Sequence, residues 1–250
     1  MCVPSYFCEE ANGITYEVVE ESQITLDNWI KKYDLICAKP IIISSFSMSY
    51  FVGFAVGSIF VPTLGDIYGR KKVFLINMLI AEATMIAIPF LPGGTEKQII
   101  PLIALLLILG ISNTGRVGTG FAYMCEIAPK EAGNMIGGVW NSLEGSIYIF
   151  STLYFMKNKN WLYPQAMGNI LFFLTIGPVL YVPESPKWLF KNKRYIECYE
   201  SLLKMAKFNG KQLSIATMSF LFQKPKHGRK VRDLKINLSP DTSGKSLENQ

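Results

Sequence analysis

Residues 41–72 read IIISSFSMSYFVGFAVGSIFVPTLGDIYGRKK, and no charge occurs in 41–65. A helix needs about 20 apolar residues to cross a bilayer core, so this run predicts a membrane span. Its end is abrupt, because Asp66, Arg70, Lys71 and Lys72 follow within a few residues. Residues 160–183 are also uncharged, and three further stretches of similar length each carry one charge. Five spanning helices are expected, at about 41–64, 73–92, 99–123, 134–156 and 163–182. Composition agrees: 50% of the 250 residues are hydrophobic and 18% are charged, against roughly 25% charged in soluble domains. The expected class is an all-α membrane protein.

Charge placement orients it. Residues 1–40 carry 3 basic and 7 acidic residues, 41–183 carry 8 and 6, and 184–250 carry 14 and 6. The loop with Arg70, Lys71 and Lys72 and the tail with Lys187, Lys191, Lys193 and Arg194 are both expected to be cytoplasmic by the positive-inside bias. Four spans separate them, so the two assignments agree and leave 1–40 extracytoplasmic. Cys2, Cys8 and Cys37 could pair there only in an oxidising compartment. Nothing at residue 1 resembles a signal peptide; an acidic, cysteine-bearing start with no preceding helix leads us to expect an N-terminal helix missing from this chain.

Residues 193–209 place Ile196, Tyr199, Leu203 and Ala206 on one helical face, within a cytoplasmic helical segment, 184–223. That face suits the bundle or the membrane surface, where each basic residue near anionic lipid adds about 1 kcal/mol. A basic, polar tail, 224–250, is expected to be disordered. No nucleic-acid-binding pattern occurs in it. The only histidine, His227, lies in this tail, and no metal-ligand spacing or phosphate-binding motif appears. No enzymatic activity, cofactor or metal is expected.

The loop Gly65-Asp66-Ile67-Tyr68-Gly69-Arg70-Lys71-Lys72 resembles the signature loop of the major facilitator transporters, G-x-x-x-D-[RK]-x-G-R-[RK]. Asp66, Gly69, Arg70 and Lys71 match it, whereas Pro62 replaces the first Gly and Ile67 the basic residue. Three landmarks resemble the organic cation and anion transporter branch, solute carrier family 22, with sugar-porter-like features. Tyr33-Asp34-Leu35-Ile36-Cys37 is similar to its W-[DN]-L-V-C. Glu126-Ile127-Ala128-Pro129-Lys130 is similar to E-x-x-P-K. Pro183-Glu184-Ser185-Pro186-Lys187-Trp188-Leu189 is similar to P-E-S-P-R-W-L, with Lys for Arg. The resemblance implies a partial major facilitator fold: helices 2 to 6 of a twelve-helix carrier, without helix 1 or helices 7 to 12. The family's helix-4 Arg would fall at Leu106, so its role does not transfer to Arg116.

Glu82, Arg116 and Glu144 each interrupt an otherwise uncharged span. A charge at a helix centre costs about 2.5–3.5 kcal/mol on insertion, so each calls for a partner or water. Arg116 and Glu144 lie roughly 12–14 Å from the inner ends of adjacent spans at 1.5 Å per residue. Arg116 shares a face with Asn113, Thr119 and Tyr123, and Glu144 shares one with Asn141. Two readings stand together: a cavity wall that meets a charged substrate, and an ion pair tying the two helices. Glu82 reads as a shielded structural carboxylate or as a proton or cation site. Ser45, Ser49, Gly53 and Gly57 form a small-residue row that permits close helix packing.

These readings converge on the amino-terminal half of a secondary carrier for small organic ions or related solutes. Asn113, Arg116, Thr119, Tyr123, Asn141 and Glu144 are expected at the substrate, and Asp66, Gly69, Arg70, Lys71 and Glu126 at a gate. Expected partners are a small organic solute, a coupled ion or proton, membrane lipid and the missing carboxy-terminal half. The plasma membrane is the expected location. The alternative is a truncated, non-transporting membrane protein that binds a partner or anionic lipid through its tail.

Overall fold

The structure is a computed structural model, and it describes residues 28–33, 35, 39–92, 99–129 and 132–210. The acidic segment 1–27, Cys37, Lys130 and the tail 224–250 lie outside the described residues, and so do the expectations attached to them.

A short α1 (Trp29–Lys32) precedes α2 (Pro40–Tyr68) and α3 (Arg70–Phe90). The fourth helix, α4 (Ile99–Ile127), is continuous but contains one π-helical turn, Gly115–Thr119. Then come α5 (Gly133–Lys157), α6 (Leu162–Tyr181), α7 (Pro186–Lys191) and α8 (Tyr195–Phe208). Helix thus occurs over each of the five ranges read as spans. By length and composition, α2, α3 and α4 are apolar enough to cross a membrane. Helices α5 and α6 are long enough but more polar, carrying Asn134, Asn141, Glu144, Gln165 and Asn169.

Helices α2 and α4 pack closest. Ser49, Gly53, Gly57, Val61 and Gly65 recur every four residues and form the buried face of α2. A methyl group on Gly53 would lie 2.1 Å from the Leu107 carbonyl oxygen, and one on Gly110 would lie 2.1 Å from that of Tyr50. Only hydrogen side chains permit this backbone-to-backbone approach. Thr114 Oγ1 then donates across the interface to the Phe54 carbonyl at 3.0 Å.

At one end of the bundle the core comprises Tyr33, Leu35, Phe46, Ile88, Ile99, Leu102, Leu106 and their neighbours. Pro89 has no N–H for the carbonyl four residues back, and that carbonyl, of Met85, accepts from Gln165 Nε2 at 2.5 Å. The final carbonyls of α3 are capped from outside the helix. Tyr33 Oη donates to Ile88 at 2.8 Å and Lys32 Nζ donates to Pro89. A cation is favourable at this negative helix end. Lys32 also sits 5.5 Å from the Trp161 ring centre, and Trp29 stacks edge-on to Trp161 at 5.9 Å. The start of α6 is therefore at the α1 end, whereas the end of α4 and all of α7 meet at the opposite end, described next. Helix α5 carries the chain from one end to the other, and α6 returns it.

Candidate functional site: a helix-end lock and a polar pocket

Every helix leaves four N–H groups and four carbonyls unsatisfied, and at the Asp66–Lys72 end these are exchanged between elements. Gly69 turns α2 into α3 at φ +113°. It has no side chain to cap α3, and Glu184 does so instead: Oε1 accepts from the Lys71 N–H at 2.9 Å and the Ser185 N–H at 3.0 Å. An anion at the positive helix end is favourable. In return, Lys71 Nζ donates to the carbonyls of Leu180 and Val182 at the end of α6, at 2.7 and 2.6 Å. Trp188 Nε1 donates to the Asp66 carbonyl at 2.7 Å, and Tyr123 Oη donates to that of Pro183.

Ser185 is fully buried and has two tasks. Its Oγ accepts from the Trp188 N–H at 3.2 Å, which caps α7, and donates to Glu126 Oε2 at 2.7 Å. The other Glu126 oxygen lies 3.5 Å from Arg70 Nε, and Arg70 also bonds Asp66 at 2.7 Å. The half-exposed Asp66 pair contributes under about 1 kcal/mol; the buried Ser185–Glu126 hydrogen bond contributes more, and the buried Arg70 Nε beside it has no hydrogen-bond partner. Helix α8 secures α7 from below: Ser201 Oγ donates to the Glu184 carbonyl at 2.7 Å, and Cys198 is buried beside Pro186. Burial raises the pKa of the Cys198 thiol. All five expected gate residues lie in this cluster. Glu184, Ser185 and Trp188 belong to it too; their sequence motif pointed to a family rather than to these contacts.

The expected substrate residues separate. Asn113 and Arg116 line a cavity of about 70 Å³ with Tyr50, Glu82, Met85 and Phe172. Asn113 Nδ2 donates to Tyr50 Oη at 2.6 Å, while the buried Asn113 Oδ1 has no partner. Thr119 and Tyr123 do not share this face. In the π turn the Gly120 N–H bonds the Gly115 carbonyl, five residues back. The turn thus takes up one extra residue and offsets everything downstream by about 100°. Thr119 is buried towards Gly65, and the Tyr123 hydroxyl is committed to Pro183.

The expected Arg116–Glu144 pair is not seen among the described residues. Asn141 and Glu144 are exposed on α5, which meets α4 through the Phe121–Trp140 ring pair at 6.4 Å. Among the described residues no ion pair joins Glu144 to Arg116. Helix α3 packs along the π turn, so Arg116 lines the same cavity as Glu82. Matching depth on neighbouring helices did not reveal which face each charge takes. Among the described residues no cluster suited to a metal ion occurs.

Residues 9–239 match the family described as sugar (and other) transporter. Among curated proteins, solute carrier family 22 member 2 of Homo sapiens is 26% identical over 91% of this chain and 39% of its own length. Solute carrier family 22 member 3 of Rattus norvegicus is 26% identical over 74% and 33%, and member 1 of Bos taurus is 24% identical over 82% and 34%. The chain spans well under half the length of these relatives. With its apolar helices and a family match over nearly its whole length, the chain belongs to the sugar (and other) transporter family, as an all-α integral membrane protein with a partial major facilitator fold.

Proposed function

We propose that the chain is one helical bundle of a secondary carrier for small organic ions, in which an inner lock and an intramembrane site serve alternating access. The observation that carries this reading is the lock. Asp66, Arg70 and Glu126 on three helix ends, with Lys71 and Glu184, form a set of charged contacts concentrated at one face of the bundle. A contact set of this kind favours whichever state preserves it, and transport requires that the balance between states be close. Asn113 and Arg116 are the proposed substrate contacts in the pocket, with Asn141 and Glu144 presented separately on α5. All five principal helices span in this reading, with residues before α2 outside the cell and α7 and α8 in the cytoplasm. The plasma membrane is the proposed location.

Uptake of a labelled panel of organic cations and anions by cells expressing the full-length product tests the reading. Saturable uptake is expected, and Glu126→Gln should change its maximal rate more than the amount of protein at the surface. Absence of saturable uptake for every solute, with normal surface expression, would reject the carrier assignment and favour a non-transporting role.

A further inference from the structure

The pocket between α2, α3, α4 and α6 holds one carboxylate, Glu82, and one guanidinium, Arg116, within spans whose other lining residues are uncharged. We propose that it is a proton-linked anion site, at which a proton taken up by Glu82 and a carboxylate bound by Arg116 enter together. This rests on the carrier reading for its transport consequence, but the binding itself does not.

Charge balance motivates the proposal. With Glu82 ionised the pocket is neutral, and an uncompensated charge surrounded by hydrocarbon is strongly disfavoured. A proton arriving from water on Glu82 removes the pocket's one negative charge and leaves the lining at +1. An incoming carboxylate restores neutrality, so each ligand favours the other by linkage. An incoming cation would instead leave the pocket positive, because a guanidinium does not release its proton. The groups facing Glu82 agree. Helix α2 contributes Tyr50 and α4 contributes Arg116. Helix α6 contributes Asn169, whose amide nitrogen, once turned towards the acceptors, lies 3.3 Å from Glu82 Oε1. Among the residues lining the pocket there is no second acid to share the proton.

Size and polarity complete the argument. A cavity of about 70 Å³ holds about two waters at roughly 30 Å³ each and is far smaller than sites of roughly 300–1,000 Å³ that enclose organic ligands. It fits a carboxylate group, not the body of the molecule carrying it. Arg116 is itself exposed as well as pocket-lining, which leaves room for that body outside. The Asn113 Oδ1 on the pocket wall has no partner, which leaves an acceptor for a protonated carboxyl or a water.

Labelled benzoate, a simple carboxylate, tests the idea by direct binding to the purified chain in lipid nanodiscs at about pH 5 and about pH 8, either side of the range through which a buried carboxylate titrates. Wild type should bind at least about fivefold more tightly at the lower pH, the small end of measured coupling between linked sites. Glu82→Gln, which mimics the protonated acid, should bind at both pH values as wild type does at the lower one. Arg116→Leu should abolish binding and Arg116→Lys should retain its pH dependence. Elution of each variant as a single species controls for folding, and Glu82→Gln decides the matter if Arg116→Leu does not fold. Binding that is absent, independent of pH in wild type, or still pH-dependent in Glu82→Gln would overturn the proposal. Intact pH-linked binding without uptake by the full-length product would instead reject only the carrier reading.

Discussion

The Ser185 hydroxyl makes two hydrogen bonds from a site fully closed to solvent. Ser185→Ala removes the cap of α7, worth about 1 kcal/mol, and a bond to a charged partner, worth roughly 1.5–3 kcal/mol. We expect a lower unfolding midpoint in thermal denaturation of the detergent-solubilised chain, with Ser185→Thr recovering much of the loss. Gly69 supplies a second residue-scale test. Its φ of +113° is one that a side chain rarely adopts, and a methyl group there would lie 2.6 Å from Glu184 Oε2. Gly69→Ala should destabilise by about 1–3 kcal/mol from backbone strain alone. Gly118 meets nothing within 4 Å, so Gly118→Ala should be neutral or stabilise by up to about 1 kcal/mol. The reverse order of melting temperatures would show that the turn is not fixed as described.

At the scale of elements, the π turn decides which side chains of α4 meet which neighbours. Asn77 and Phe74 of α3 lie against Gly115 and Gly120, at either end of the turn. Deleting Gly118 would restore α-helical phase and swing Tyr123 and Glu126 by about 100° away from Pro183 and Ser185. We expect that variant to lose folded yield in size-exclusion chromatography, and unchanged yield would mean that the turn is not needed. Helix α8 invites a separate measurement. Cys198 is 2% exposed and its thiol pKa is raised by burial, so little reactive thiolate forms near neutral pH. Maleimide should modify the exposed Cys125 well before Cys198 in the folded chain, with the difference lost in denaturant. Equal rates would show that α8 does not stay docked on α7.

At the scale of the molecule, the two capped ends constrain topology more firmly than hydropathy does. Ser185 bonds Glu126 at one end, while Trp161 packs on Trp29 at the other. Helices α5 and α6 must therefore travel the bundle's length and return, although both are more polar than α2 to α4. Introduced cysteines at Trp161 and Lys187 should label from opposite sides of a sealed membrane vesicle with an impermeant thiol reagent. Labelling of both from the same side would place α5 outside the bilayer. Because the chain supplies one bundle of the proposed carrier, we also expect the 250-residue chain alone, in liposomes, to accumulate no organic ion above protein-free controls under an inward ion gradient. Saturable accumulation would make this single bundle a carrier in its own right.

What the amino-acid sequence determined by itself was the set of helices. Long uncharged runs, the helix-breaking Gly69 and the basic residues after Asp66 are local signals, readable without knowledge of any neighbour. The small-residue row of α2 likewise announced a close packing face, although not that α4 would occupy it. Membership of the lock was legible at Asp66, Arg70 and Glu126 through motif spacing. Its mechanism was not, because Glu184 caps a helix that begins more than a hundred residues earlier in the chain. Tertiary structure alone decided which cavity Arg116 lines. Reading Arg116, Thr119 and Tyr123 as one stripe assumes an unbroken 3.6-residue period, and a single π turn ends that period without a proline or gap to mark it. Depth along a helix follows from counting residues, but direction around it depends on every turn between, so Arg116 lines the cavity of Glu82 while Thr119 and Tyr123 turn towards Gly65 and Pro183.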